Sequence, residues 1–343
     1  MALTTERSEV DGMEELCPIV QSRAAQLIFR AKWMTMRMRL RIEIGVAAVC
    51  CLIGLPALGQ SVAAAVKTQV VMLGTGTPYA DPDRFGPATA VVVNGTPYLV
   101  DCGPGVIRRV AQAHKNGVEG LTPQKIGVLF ITHLHSDHTV GYPDVIFTPA
   151  VTGRPGALEV YGPKGLDDMT SNILKAWQKD IDIRLHGLEQ GNPKAYVAHP
   201  HEIRAGVVYK DVNVTVTAFP VKHGTWDESW GYRFDTPDKT IVISGDTSPT
   251  DEIAKQCHGC DLLIHEVYST AGLKARPSEH IEYHQRFHTS TAELAKIANE
   301  ARPKELVLYH VLFWGTTPQQ VLDEIKAAGY AGNVVVANDL DVF

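Results

Sequence analysis

Beyond about Val66 the chain is a succession of short apolar runs broken by polar and glycine-containing punctuation. "QVVMLG", "ATAVVVN", "PYLVD" and "IGVLFIT" come first, followed by "LEVYG", "VNVTVTAFP", "TIVISGD", "DLLIHE", "ELVLYH" and "NVVVAN". Each is too short for an ordinary buried helix and most are rich in Val and Ile, so they predict strands. Helix-like segments lie between them, near Gly105–His114, Gly165–Lys179, Pro249–Gln256, Thr291–Ala301 and Pro318–Ala328. "STAELAKIA" opens with a Ser/Thr cap and carries Glu293 in its first turn, which marks a helix start. The alternation is that of an α/β protein with strands enough for two sheets. No linker, charge block or low-complexity tract interrupts it, so residues 66–343 are expected to form one domain.

The amino-terminal part follows another pattern. Residues 1–35 carry no clean periodicity and read as an unstructured or over-extended start. Residues 36–65 begin with Arg37, Arg39 and Arg41, continue through an apolar stretch from Ile44 to Leu58, and end among small residues near Ala57, Gly59 and Ala63. That order is the order of a secretory signal peptide. The apolar stretch falls short of the roughly 20 residues that span a bilayer, so a cleaved signal is expected rather than a permanent membrane anchor. The expected mature chain starts between Gln60 and Val66 and is periplasmic or secreted.

Composition adds little to this and charge adds an exclusion. The 343 residues are 45% hydrophobic and 20% charged, which is ordinary for a folded protein with a large core. A formal net charge of −6 lacks the basic excess that grips long nucleic acid. Of the cysteines, Cys102, Cys257 and Cys260 lie in the expected domain. "CHGC" at 257–260 supplies only half a structural zinc site, leaving a local disulfide or two free thiols, and Cys102 reads as a small core residue.

Candidate chemistry is concentrated where apolar runs stop. "VLFIT" ends at His133, "VTAFPVK" at His223, "TIVISG" at Asp246, "DLLI" at His265 and Glu266, and "ELVLY" at His310. Strands lying side by side would bring these residues to one rim, where open α/β sheets hold ligands. The densest point is "THLHSDH", residues 132–138, with three histidines and an aspartate. Imidazole nitrogen and carboxylate oxygen are good ligands for a divalent ion. Projecting from an extended loop, His133 and His135 can share one ion while Asp137 and His138 face a second. Two such ions lower the pKa of a shared water and polarise a substrate oxygen, and Asp137 can also orient the attacking oxygen. Asp101, after "PYLV", reads either as an acceptor fixing a ligand imidazole or as a turn former.

"THLHSDH" resembles the signature of the metallo-β-lactamase fold, and "LGTGTP", "LVDCGPG", "VKHG…GYRF", "ISGDT", "LLIHE", "FHTSTAELA" and "LVLYH" follow in the order of its ribonuclease Z and arylsulfatase-like branch. The resemblance implies a four-layer αββα sandwich with a dinuclear site at its edge. It implies one zinc on His133, His135 and His223, another on Asp137, His138 and His310, and Asp246 bridging the two, with Mn²⁺ or Fe as substitutes. By the same resemblance Glu266 and His288 would support the leaving group as proton donor or charge stabiliser. Dimers are common among such relatives, so a homodimer is among the expectations.

Lesser candidates carry plainer readings. His114, His186, His199, His201 and His258 are expected at the surface. His280, Tyr283 and His284 in "SEHIEYHQRFH" either line a substrate mouth or belong to a polar loop. Trp226 and Trp230 offer an aromatic wall or core packing.

Three readings follow. The main expectation is an exported hydrolase of phosphodiester or sulfate esters, acting on a small anionic molecule, an aryl ester among the candidates. "GTGTPYADPDRFGPAT" stands where ribonuclease Z usually has an Arg-Asn pair, and no Gly-rich basic arm lies between His138 and His223. The alternative is a ribonuclease Z-type enzyme trimming the 3′ side of transfer RNA precursors, and the third reading is a noncatalytic metal-dependent binding protein. β-Lactam hydrolysis is disfavoured, because the enzymes of that name commonly use Cys or another arrangement in place of Asp246.

Overall fold

Two sheets face each other because their strands are apolar on both sides. In the computed structural model, which describes residues 67–343, a six-stranded sheet runs in the order β1 (Thr68–Gly74), β2 (Ala88–Val93), β3 (Thr96–Val100), β4 (Val128–Phe130), β5 (Leu158–Gly162), β6 (Ala198–Glu202). The second, seven-stranded, contains β7 (Gly206–Lys210), β8 (Thr215–Pro220), β9 (Trp230–Asp235), β10 (Thr240–Ile243), β11 (Leu262–Tyr268), β12 (Glu305–Leu312) and β13 (Val334–Val336), with β13 and β7 at its edges. Side chains alternate along a strand. Val70 and Met72 of β1 therefore join the core between the sheets, with Phe130, Tyr232, Ile243 and Tyr309, while Val71 and Leu73 face the opposite way. On that outer side they meet α1 (Val106–Lys115) and α3 (Tyr142–Thr152). Beyond the second sheet, Val242, Leu263 and Leu306 pack on α6 (Asp251–Cys257), α9 (Thr291–Ala301) and α10 (Pro318–Ala327). The result is helix, sheet, sheet, helix, the expected four-layer αββα sandwich.

Boundaries differ from the sequence pattern where tertiary contacts decide. The single helix expected at 165–179 is two helices, α4 (Leu166–Ala176) and α5 (Gln178–His186). "SEHIEYHQRF", read as a polar loop, is a helix, α8 (Ser278–Phe287). Its polar composition hid the two positions that seat it, His284 and Phe287, one turn apart and buried. Strand β6, "AHPHE", was missed because only Ala198 is buried and the rest faces solvent. Cys257 and Cys260 form a disulfide, and Cys102 is a buried free thiol. The segments read as an over-extended start and a signal peptide lie outside the described residues. No helix among the described residues is long and apolar enough to cross a membrane.

Candidate metal centre

After β4 the chain passes through Ile131 and Thr132 to His133 and turns at once into the four-residue helix α2 (Ser136–Thr139), with His135 as its N-cap. The extended loop on which alternate projection relied therefore reaches only to His135, and Asp137 and His138 lie on a helix. Backbone bonds pin it to the end of β3: Cys102 N–H donates to His138 O at 2.8 Å, and Gly141 N–H to Cys102 O at 2.8 Å. Close approach is possible because Gly103 lacks a Cβ, which would lie 2.6 Å from the Asp137 carbonyl oxygen.

His133, His135 and His223 form one group. His135 Nδ1 lies 2.9 Å from His133 Nε2 and 3.1 Å from His223 Nε2. Each ring is held by its other nitrogen: His133 Nδ1 is 3.0 Å from Thr132 Oγ1, His223 Nδ1 donates to Phe287 O at 2.8 Å, and Trp226 Nε1–H donates to His135 Nε2 at 2.9 Å. Burial holds all three imidazoles below their ordinary pKa, His223 at about 3, so their charged forms are disfavoured.

Asp137, His138 and His310 form the second. His310 Nε2 is 3.3 Å and His138 Nε2 3.6 Å from Asp137 Oδ2. His138 is fixed by Asp101, whose Oδ2 accepts from Nδ1 at 2.8 Å. His310 lies inside β12 rather than at its end. The β11–β12 pairing slips between Glu266 and Val267, and His310 has φ 45°, so this irregularity turns its ring toward the rim. Burial depresses His138, but the carboxylates of Asp246, Asp101 and Asp137 outweigh it and the net shift is upward.

Asp246, after β10, stands between the groups. Its Oδ1 is 3.5 Å from His138 Nε2, and its Oδ2 is 3.5 Å from His310 Nε2 and 3.9 Å from His223 Nε2. Three ligand-type clusters result: His133, His135, His223 and Asp246; Asp137, His138 and His310; and Asp246, His288 and His310. His138 Nε2 and Asp246 Oδ1 are buried and have no hydrogen-bond partner. Two ligands each about 2.1 Å from a tetrahedral ion lie roughly 3.4 Å apart. The separations here, 2.9 to 3.9 Å, bracket that value, so the side chains fit shared cations better than they fit one another.

Beside Asp246 lies a buried acid and imidazole. Glu266 accepts from Thr289 N–H at 2.7 Å, and its Oε2 is 3.2 Å from His288 Nδ1. Burial raises the Glu266 carboxyl well above its usual range, with Asp246 adding to the effect, and burial lowers His288 to about 4. Adjacent His265 is not part of this group: its Nδ1 meets the Glu266 carbonyl and its buried Nε2 has no partner.

The remaining candidates divide. Trp226 is half-exposed against His135, with ring centroids 5.0 Å apart, whereas Trp230 is buried in the core. Tyr283 stacks on Phe287 at 4.3 Å, and Phe287 packs edge-on against His223 at 5.0 Å. His284 packs on Trp314, and His280 is exposed. His199 and His201 bond Glu159 at the surface, and His114, His186 and His258 are exposed. The Phe287 carbonyl and the Thr289 N–H were invisible in the sequence, because backbone groups leave no residue-type signal.

A family profile described as "Beta-lactamase superfamily domain" matches residues 96–311. The chain is 32% identical to a ribonuclease Z of Mycobacterium bovis over 277 residues, which cover 79% of this chain and 96% of that protein. Human tRNase Z, short form, has a similar structure with a TM-score of 0.59 and 25% identity, covering 80% of this chain and 98% of the human one. The metallo-beta-lactamase fold protein YhfI from Bacillus subtilis matches with a TM-score of 0.61 at 20% identity, covering 81% and 99%.

Proposed function

The chain belongs to the beta-lactamase superfamily, and on that footing we propose that it is a metal-dependent phosphodiester hydrolase of the ribonuclease Z kind. It keeps the ribonuclease Z kinship of the alternative expectation and the phosphodiester of the main one, and drops the sulfate ester. The observation that carries it is the pairing of Glu266 and His288 at 3.2 Å beside the Asp246 carboxylate, an apparatus for a leaving group added to a complete set of metal donors. The relatives' names, ribonuclease Z and tRNase Z, favour a phosphodiester over a sulfate ester and RNA over an unrelated small molecule.

In this proposal His133, His135 and His223 would hold one divalent ion and Asp137, His138 and His310 the other, with Asp246 available to both; zinc would suit this donor set. Bound ions would supply a Lewis acid for phosphoryl oxygens and acidify water. The chain's own residues do the rest. Asp101, through His138, fixes which ring nitrogen faces the centre. Asp137 has its Oδ2 within reach of two imidazoles and can orient an attacking oxygen. His288, tethered through Nδ1, keeps Nε2 for a proton that passes to the leaving oxygen, while Glu266 can restore one at Nδ1. Export remains part of the proposal, and the Cys257–Cys260 disulfide supports an oxidising compartment.

The test is a parallel assay of the metal-replete full-length chain on precursor transfer RNA, an aryl phosphodiester and an aryl sulfate. Turnover of diesters with little sulfate release is expected. Sulfate ester hydrolysis without diester hydrolysis would return the function to the sulfatase reading, and no turnover with two ions bound would favour a binding protein.

A further inference from the structure

Four aromatic side chains among the described residues are exposed: Tyr79, Trp177, Trp226 and Tyr283, at 56%, 42%, 36% and 46%. Three of them stand around the metal centre. Trp226 bonds His135, and Tyr283 reaches His223 through Phe287. Tyr79 lies nearer Asp137 of the second group. It lines a cleft of about 630 Å³ together with Pro82, Phe85, Val140 and Asp137. It also lines a smaller cleft of about 260 Å³ with Arg84, Arg276 and Trp314.

The wall carrying Tyr79 is preformed. Phe85 N–H donates to Asp339 Oδ2 at 2.8 Å, and Arg84 Nη1 to the Ala337 carbonyl at 2.9 Å. Gly105 has φ 84°, and a Cβ there would meet the Phe85 ring at 2.2 Å, so this wall and the start of α1 are in close contact. A rigid apolar cleft loses little entropy when it takes a ring.

Charge limits how long the substrate can be. Arg84 and Arg276 are the cations of these clefts, with Asp81 lining both. The Arg276 Nε is buried without a partner, and its Nη2 is 3.5 Å from Tyr79 Oη. Helices α4 and α5 carry Asp167, Asp168, Asp180 and Asp182 against Lys175, Lys179 and Arg184, which makes no basic track for a long backbone. Exposed rings near both groups of metal-ligand side chains suit stacking of bases, and the two cations of the Tyr79 clefts can neutralise few phosphates.

We propose that the preferred substrate is a short single-stranded oligonucleotide, with the base on one side of the scissile phosphate stacked on Tyr79 and that on the other received by Trp226 and Tyr283. Arg276 would meet a flanking phosphate. This rests on the phosphodiesterase reading above and narrows it away from folded RNA.

The test compares a dinucleoside monophosphate with its abasic counterparts, each lacking one base, using wild-type, Tyr79→Ala, Tyr79→Phe and Tyr283→Ala proteins checked for equal metal content. Removing the base or the Tyr79 ring is expected to raise KM about tenfold with kcat little changed. Removing both should cost no more than either alone, and Tyr79→Phe should restore the wild-type KM. Tyr283→Ala, on a separate element, should show the same pattern with the other abasic substrate. Equal KM for all three substrates, or losses from base and ring that multiply, would overturn stacking. Cleavage of bis(4-nitrophenyl) phosphate or precursor transfer RNA without cleavage of the dinucleotide would overturn the short-substrate proposal and leave the phosphodiesterase standing. No cleavage of any diester would remove both.

Discussion

Asp101→Asn tests how His138 is oriented with little other disturbance. Asp101 has φ 59°, a left-handed conformation that Asn tolerates better than most residues. Its Oδ1 accepts from Thr132 N–H at 2.8 Å and its Oδ2 from His138 Nδ1 at 2.8 Å. Asn can keep an oxygen toward Thr132 but must then turn its NH₂ toward His138. Two donors now face each other, which disfavours a proton on Nδ1 and moves it to Nε2, the nitrogen needed by an ion. Loss of such a supporting acceptor weakens metal binding by about 10- to 100-fold, or ~1.4 to 2.7 kcal/mol. The effect should fall on the ion at Asp137, His138 and His310, so competition titration with a chelating dye should give one site near wild-type affinity and one weakened. Asp101→Ala should differ in kind. It leaves the buried Thr132 N–H without its acceptor and puts Ala at positive φ, costing on the order of 3 to 5 kcal/mol of stability, measurable by urea denaturation. Two sites of unchanged affinity in Asp101→Asn would refute the claim that Asp101 sets the His138 tautomer.

Further expectations concern separate parts of the fold. Arg154 is buried, and its Nη1 donates to the Val145 carbonyl at 2.9 Å, the acceptor that Pro149, lacking N–H, cannot serve within α3. Arg154→Met should lose about 3 to 5 kcal/mol in urea denaturation, and adding Pro149→Ala should recover about 1 kcal/mol; simple additivity of the two changes would refute the substitution of one donor for the other. Reducing Cys257–Cys260, which closes a very short loop, should lower stability by about 2 kcal/mol without changing metal content, as melting with and without a reductant would register. His288→Ala should slow diesters with poor leaving groups far more than nitrophenyl diesters, and equal losses on both would argue against proton delivery by this residue.

The sequence by itself determined ten of the thirteen strands, because two-sided burial demands short Val- and Ile-rich runs whatever their neighbours; β6, β7 and β9 lack such runs. It also determined the chemical character of "THLHSDH", since so many ligand-type side chains beside a buried strand have few other uses. What sits where an apolar run stops was legible for His133, His223, Asp246, Glu266 and His310, although the last two lie inside strands. Other features depended on contacts between distant segments. His310 and Glu266 point into the centre from within β12 and β11 because a pairing slip re-aims them, and no local pattern encodes a slip. Polar α8 is a helix because Phe287 packs on His223 and His284 on Trp314, contacts that exist only once the second sheet has formed. The cleft at Tyr79 likewise required residues near 80, 105 and 140 to meet. Periodicity records which face of an element is buried; it does not record what that face will touch.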